Sequence, residues 1–305
     1  MIDRLRSRWT VAGLIGLAAI AIWSTQPPAT PIASPEDEVA ADELWKTAVL
    51  VGHVRMNLEE EHELCWNASG SLIGSPDTVV TAQHVIEWTD DDEESCSDAS
   101  IWVGYNFDPK SEFFVWWPAE VRRESEVHDL AVLTVDLTAE PWIEDESIGF
   151  GALLAGDWPT LDVAPLEDEP QIGDPVQLYS YPGIGGFSVS YTSGHLAGWS
   201  YDDTTELEAG IMKLDITVAG GSSGGGLLNS QGQLIGLVVM GGVTRYPDGD
   251  DRNDVDWVDC RNAADTNGDE LIDNEDTCVP TGGFLNGAVS LFPLRQFLIG
   301  TGVTW

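Results

Sequence analysis

Basic residues are scarce in this chain. Lys and Arg together number 13 against 52 Asp and Glu, for a formal net charge of −39 at pH 7. Nucleic-acid backbones are gripped by clustered Lys and Arg, so this balance argues against nucleic acid as a partner. Histidine is also rare, at five residues. None of His53, His62, His128 and His195 stands at metal-ligand spacing from another, so zinc chemistry has no support and each is read as structural. Long helical periodicity is missing, while glycine (32), proline (16) and tryptophan (13) are plentiful. An all-β chain is expected.

No apolar run reaches the ~20 residues of a membrane span. The longest, residues 9–23, follows Met1-Ile2-Asp3-Arg4-Leu5-Arg6-Ser7-Arg8 and precedes Ser24-Thr25-Gln26-Pro27-Pro28. A basic start, a short apolar run and a polar break read as a secretory signal peptide. An uncleaved signal anchor, tethering the chain to a membrane through residues 9–23, is the other reading. No cysteine lies just after that run, so a lipoprotein anchor is not expected. The chain is expected to be exported: periplasmic, at the cell surface or secreted.

Only four cysteines are present, Cys65, Cys96, Cys260 and Cys278. In an exported chain they suggest two disulfides with three possible connectivities. Sequence proximity favours Cys65 with Cys96 and Cys260 with Cys278. Residues 24–43, rich in Pro, Ala, Thr and acids, read as a disordered tether. The acidity itself has two competing causes, a salt-rich habitat or local cation-binding clusters, and self-repulsion of this size favours solubility in either case.

One stretch organises the rest: Leu214-Asp215-Ile216-Thr217-Val218-Ala219-Gly220-Gly221-Ser222-Ser223-Gly224-Gly225-Gly226-Leu227-Leu228. An apolar run meets a glycine-flanked serine, and a second apolar run follows, which predicts strand, tight loop and strand. Glycine tolerates positive φ and lacks a Cβ, so backbone N–H groups can converge there on one small space. A serine hydroxyl needs a base and an orienting carboxylate to act as a nucleophile. Thr78-Val79-Val80-Thr81-Ala82-Gln83-His84-Val85 delivers a histidine just past a β-rich run, and Val127-His128-Asp129-Leu130-Ala131-Val132-Leu133 sets an aspartate at the start of a strand. Each is weak evidence singly; together, in the order His, Asp, Ser, they are strong.

Val80-Thr81-Ala82-Gln83-His84, Asp129-Leu130-Ala131-Val132-Leu133 and Gly221-Ser222-Ser223-Gly224-Gly225 resemble the three signatures of the chymotrypsin-like (trypsin-fold) serine peptidases. The bacterial HtrA/Do-type branch looks closest, with support from Ile172-Gly173-Asp174-Pro175-Val176, Tyr181-Pro182-Gly183, Thr192-Ser193-Gly194-His195-Leu196 and Gly232-Gln233-Leu234-Ile235-Gly236-Leu237-Val238. The resemblance implies two six-stranded antiparallel β-barrels and a short C-terminal helix within a peptidase domain at 44–305. The first barrel would span about 44–139 and the second about 170–300, joined by an acidic connection at 140–169. Strands are expected at 44–54, 68–73, 78–82, 101–105, 113–117 and 130–135, then 175–180, 188–191, 195–199, 212–217, 227–228, 234–239 and 287–291. Residues 59–63 are expected in a loop and 293–299 in the helix. Nothing after the helix is long enough for a PDZ domain, so PDZ-gated quality control is not expected.

By the same resemblance Ser223 is the nucleophile, His84 the general base and Asp129 the orienting carboxylate, with the backbone N–H groups of Gly221 and Ser223 as the oxyanion hole. Ser222 stands where trypsins that await zymogen cleavage carry an aspartate, so activation by a new N-terminus is not expected. Thr217 would lie near the floor of the S1 pocket. It is uncharged, which argues against an Arg or Lys preference and for a small or medium apolar P1 residue. The glutamyl endopeptidases are a rival subfamily with a histidine in that pocket, and the sequence does not put His195 there.

An acidic insertion at 245–283 carries Asp265-Thr266-Asn267-Gly268-Asp269-Glu270-Leu271-Ile272-Asp273-Asn274-Glu275-Asp276. Calcium takes six to eight oxygen ligands, and Asp265, Asn267, Asp269, the Leu271 carbonyl, Asp273 and Asp276 supply them at loop spacing. The run resembles dockerin, thrombospondin type 3 and EF-hand loops, departing from them at Glu270, where glycine is usual, and at Asp276, where EF-hands prefer glutamate. A structural Ca2+ is the one cofactor expected, with none for catalysis. Two other readings stay open: a catalytically silent peptide-binding pseudopeptidase, and a calcium-dependent envelope or adhesion protein. Protein or peptide substrates are the expected partners.

Overall fold

Strands whose inward residues are Val, Leu and Ile can bury one face against another sheet only if the sheet curls or stacks, and here the sheets curl. The structure, a computed structural model, describes residues 43–57, 61–87, 98–143, 158–183, 186–200, 211–240 and 286–305. A 3-10 turn at Leu44–Thr47 leads into β1 (Ala48–Met56), β2 (His62–Leu72) and β3 (Thr78–Thr81). A one-turn helix α1 (Gln83–Ile86) comes next, then β4 (Ser100–Asn106), β5 (Phe114–Ser125) and β6 (Leu130–Val135). The sheet order β4-β1-β2-β3-β6-β5 is closed by β4–β5 pairing, and a two-residue strand β7 (Trp142–Ile143) lies along β5. The second ring takes β8 (Pro175–Ser180), β9 (Ser190–Ser200), β10 (Ile211–Leu214), β11 (Gly226–Leu228), β12 (Leu234–Met240) and β13 (Asn286–Ser290) in the closed order β10-β13-β12-β11-β8-β9. Helix α2 (Leu291–Ile299) follows. All ladders between these strands are antiparallel, so the fold is the expected pair of six-stranded barrels with a short C-terminal helix.

The connection between barrels is pinned to both. Leu161 N–H donates to Leu72 O of the first barrel (2.9 Å), while Ala164 N–H donates to Leu234 O (2.9 Å) and Leu234 N–H to Asp162 O (2.8 Å) in the second. Leu161, Val163 and Ala164 are buried in the common core, and each fully buried Leu or Val contributes about 1.5–3 kcal/mol relative to an exposed one. Helix α2 is held across the barrels by Arg123 of β5, which donates to Phe297 O (3.0 Å) and lies 5.1 Å from its ring centre.

Several strand limits differ from expectation. Residues 44–47 form a turn, not the start of β1. Residues 62–63, expected in a loop, begin β2: Glu63 pairs with Arg55 across the ladder at 2.8 Å, and His62 stacks on Trp142 with ring centres 5.3 Å apart. β5 continues through Pro118, where an end was expected. Pro118 is the last residue paired with β4, and Ala119 the first paired with β6, so its missing N–H falls where the strand changes partner. The two strands expected at 188–199 are one, β9. The segment at 1–23, the tether to residue 42 and the insertion at 245–283 lie outside the described residues.

Candidate active site

Three segments from two barrels converge here. β3 ends at Thr81, Ala82 is extended, and α1 then turns the chain so that His84 is exposed while its neighbours Val85 and Ile86 are buried beneath it. The helix is held from below by His53 of β1, whose Nε2–H donates to Val85 O at 3.0 Å. Burial lowers the His53 pKa below its ordinary value and keeps the ring neutral.

Asp129 closes the turn between β5 and β6 with its own N–H on Glu126 O (3.3 Å). It is the one non-glycine residue at positive φ among the described residues, at 50°. Aspartate tolerates the left-handed region better than most side chains. The turn aims its carboxylate at α1, where it takes two hydrogen bonds from one residue. Oδ1 accepts the backbone N–H of His84 at 2.9 Å, and Oδ2 accepts its Nδ1–H at 2.7 Å. A carboxylate oxygen accepts, so Nδ1 carries the proton of this bond and Nε2 is the ring nitrogen left outside it. The His84 and Asp129 side chains are 43% and 30% exposed, open enough for a substrate to reach the ring.

Ser223 sits half-buried on the turn between β10 and β11. Ser222 N–H donates to Ala219 O (2.9 Å), Gly225 N–H to Ser222 O (3.0 Å) and Gly224 N–H to Val238 O (2.8 Å). Among the described residues no acceptor meets the N–H of Gly221 or of Ser223, the two groups expected to bind an oxyanion. Gly221 and Gly224 have φ of 91° and 82°, and a Cβ on Gly224 would fall 2.0 Å from Ser69 O. The glycines are therefore dictated by turn geometry and close packing together. Ser222 is buried, and its Oγ accepts from Ser180 Oγ–H (3.2 Å) and Ala219 N–H (3.3 Å). No hydrogen bond joins His84 Nε2 to Ser223 Oγ among the described residues. In free enzymes this contact is often long and tightens with substrate.

The sequence reading missed what ties the Ser223 turn to the first barrel. Ser69 of β2 donates its N–H to Ser223 O (2.9 Å) and its Oγ–H to Gly221 O (2.7 Å). Residues 68–73 carry only a strand pattern, and no local signal marks Ser69. Thr217 is exposed, next to Ile216, whose carbonyl accepts from Asn286 Nδ2 (2.5 Å). Among the described residues no hydrogen bond links Thr217 to His84, Asp129 or Ser223. Cys65 on β2 is disulfide-bonded; Cys96, Cys260 and Cys278 lie outside the described residues, as do the expected calcium ligands Asp265, Asn267, Asp269, Leu271, Asp273 and Asp276. Among the described residues no group of His, Cys, Asp or Glu is arranged to hold a metal ion.

A model of the trypsin-like peptidase domain matches residues 68–237, more than half of the chain. The chain belongs to the trypsin-like peptidase family. The matched span takes in Ser69, His84, Asp129 and Ser223. It makes this trypsin-like peptidase a serine-peptidase family member whose substrates are proteins or peptides. No curated protein matches the chain.

Proposed function

We propose that this peptidase is an exported serine endopeptidase of the HtrA-like type that cleaves peptide bonds through an acyl-enzyme on Ser223. His84 Nε2 takes the Ser223 proton as Oγ attacks the scissile carbonyl, and the imidazolium returns it to the departing amine. Water then repeats the cycle on the ester. Asp129 keeps His84 in the Nδ1–H tautomer and stabilises the imidazolium. The free N–H groups of Gly221 and Ser223 take up the negative oxygen of the tetrahedral intermediate. The observation that carries this reading is the two-point grip of the Asp129 carboxylate on the backbone and ring of His84, at 2.9 and 2.7 Å.

Export is supported by the basic and apolar N-terminal segment, and structural calcium by the oxygen-ligand spacing from Asp265 to Asp276. Thr217 on the S1 floor favours a small or medium apolar P1. The deciding experiment is covalent labelling of the purified chain by a fluorophosphonate, with turnover of a fluorogenic peptide library beside it. The wild type is expected to label on Ser223 and to cleave. Ser223→Ala is expected to do neither, with kcat down by about 10⁶-fold. A folded wild type that neither labels nor cleaves overturns the proposal.

A further inference from the structure

We infer that Ser69 is a positioning residue for catalysis, setting the oxyanion turn of the second barrel from its place on β2 of the first. The inference rests on the reading of Ser223 as the nucleophile.

Ser69 is fully buried and makes four hydrogen bonds, two to the turn that carries Ser223 and one each to Tyr181 and Thr81. Its N–H donates to Ser223 O at 2.9 Å. Its Oγ–H donates to Gly221 O at 2.7 Å, and the same oxygen accepts the N–H of Tyr181 at 2.8 Å. Its carbonyl accepts the hydroxyl of Thr81 at 2.8 Å, three residues before His84. The Tyr181 segment then reaches back, because Gly183 N–H donates to Gly220 O at 2.8 Å.

The carbonyls of Gly221 and Ser223 flank the Ser222–Ser223 peptide, which carries one of the two unpaired N–H groups. The Gly220–Gly221 peptide carries the other, and its carbonyl is the one held by Gly183. Rotating the Gly221–Ser222 peptide away from Ser69 changes ψ at Gly221 and φ at Ser222, and any part of that rotation not cancelled between the two tilts the neighbouring peptides that carry the free N–H groups. A glycine pair at 220–221 offers little resistance of its own. The Ser69 hydroxyl therefore adds a hold that the glycines do not supply, while the Ser69 carbonyl, through Thr81, sets β2 in the frame of the strand that delivers His84. The side chain touches neither substrate nor reacting atoms.

Such a residue should act on the transition state and spare ground-state binding. The test compares wild type, Ser69→Ala and Ser69→Gly of the full chain on one fluorogenic peptide that the wild type cleaves. It reads kcat, KM, the affinity of a peptide aldehyde of the same sequence, and the melting temperature. For S69A, kcat should fall roughly 10- to 100-fold, short of the ~10²–10³ that deleting an oxyanion donor costs, with KM within about twofold. Aldehyde affinity should weaken by the same factor as kcat/KM, since its hemiacetal oxygen needs the same donors. S69G leaves room for a water between Gly221 O and Tyr181 N–H and should recover part of the loss; it also stands in if S69A does not fold.

An S69A enzyme with kcat within about twofold of wild type, or with the whole loss in KM, overturns the inference. So does failure of both variants to fold, which would mark a role in stability alone. These results leave the peptidase assignment standing as long as the wild type labels and cleaves. A wild type that does neither removes both.

Discussion

Replacing Asp129 by Asn changes one atom of the carboxylate and should nearly abolish activity without unfolding the protein. Oδ1 of Asp129 accepts the backbone N–H of His84, which can never act as an acceptor, so the Asn carbonyl oxygen must take that place. The amide NH2 then faces Nδ1, where Oδ2 stood at 2.7 Å. A donor there forces Nδ1 to accept, which moves the ring proton to Nε2, and an Nε2–H cannot take a proton from Ser223. The same exchange in a well-studied analogue drops kcat by about 10⁴, equivalent to about 5 kcal/mol of barrier. Asn tolerates the left-handed backbone of position 129 as well as Asp does, so no folding penalty is expected from φ. The assay is kcat/KM on a fluorogenic peptide, with fluorophosphonate labelling as a chemical readout and thermal unfolding as control. Asp129→Asn with more than about a tenth of wild-type kcat, at an unchanged melting temperature, would refute the tautomer argument.

Other perturbations test other parts of the structure. Gly224→Ala puts a Cβ 2.0 Å from Ser69 O at a φ of 82°; it should lower the melting temperature by roughly 5 °C or more and abolish turnover, and an intact, fully stable variant would contradict the packing described for the turn. The His53 pKa is lowered in the fold, chiefly by burial, so the unfolded chain binds a proton that the native state refuses. That contribution to stability is complete above the unfolded value of about 6.5 and is lost as pH falls below it. His53→Gln keeps a donor for Val85 O and should flatten the dependence of melting temperature on pH in that window; an unchanged slope assigns the dependence elsewhere. Removing calcium with EDTA should lower both the melting temperature and activity, and added Ca2+ should restore them; indifference to EDTA would eliminate the calcium proposal.

The residues of the candidate site stand out in the sequence because each sits in a short, local context: a β-rich run before His84, an Asp at the head of an apolar strand, a serine among glycines. What binds those contexts together does not. Ser69 meets Tyr181 112 residues away and Gly221 152 residues away, and nothing in its own neighbourhood encodes either partner. Strand limits differ from expectation in two places. The strand expected at 113–117 runs on through Pro118, which falls where β5 exchanges β4 for β6 and no N–H is needed. Strands were expected at 188–191 and 195–199 with a gap between, yet β9 runs through Gly194, where a Cβ would meet Asp215 O at 1.8 Å, so the glycine marks a close approach. Trp142 sat in a run read as an acidic linker, and its stacking on Trp116 and His62 depends on partners from other strands.

The pairing of Ser180 with Ser222 has a bearing on control. Where some relatives need a freshly cut terminus to swing in and neutralise a buried acid, this turn is braced by two neutral hydroxyls that arrive with the fold. On the function proposed above, a turn braced that way should need no cut terminus to take its shape, and turnover by the uncut chain is the measurement that checks it.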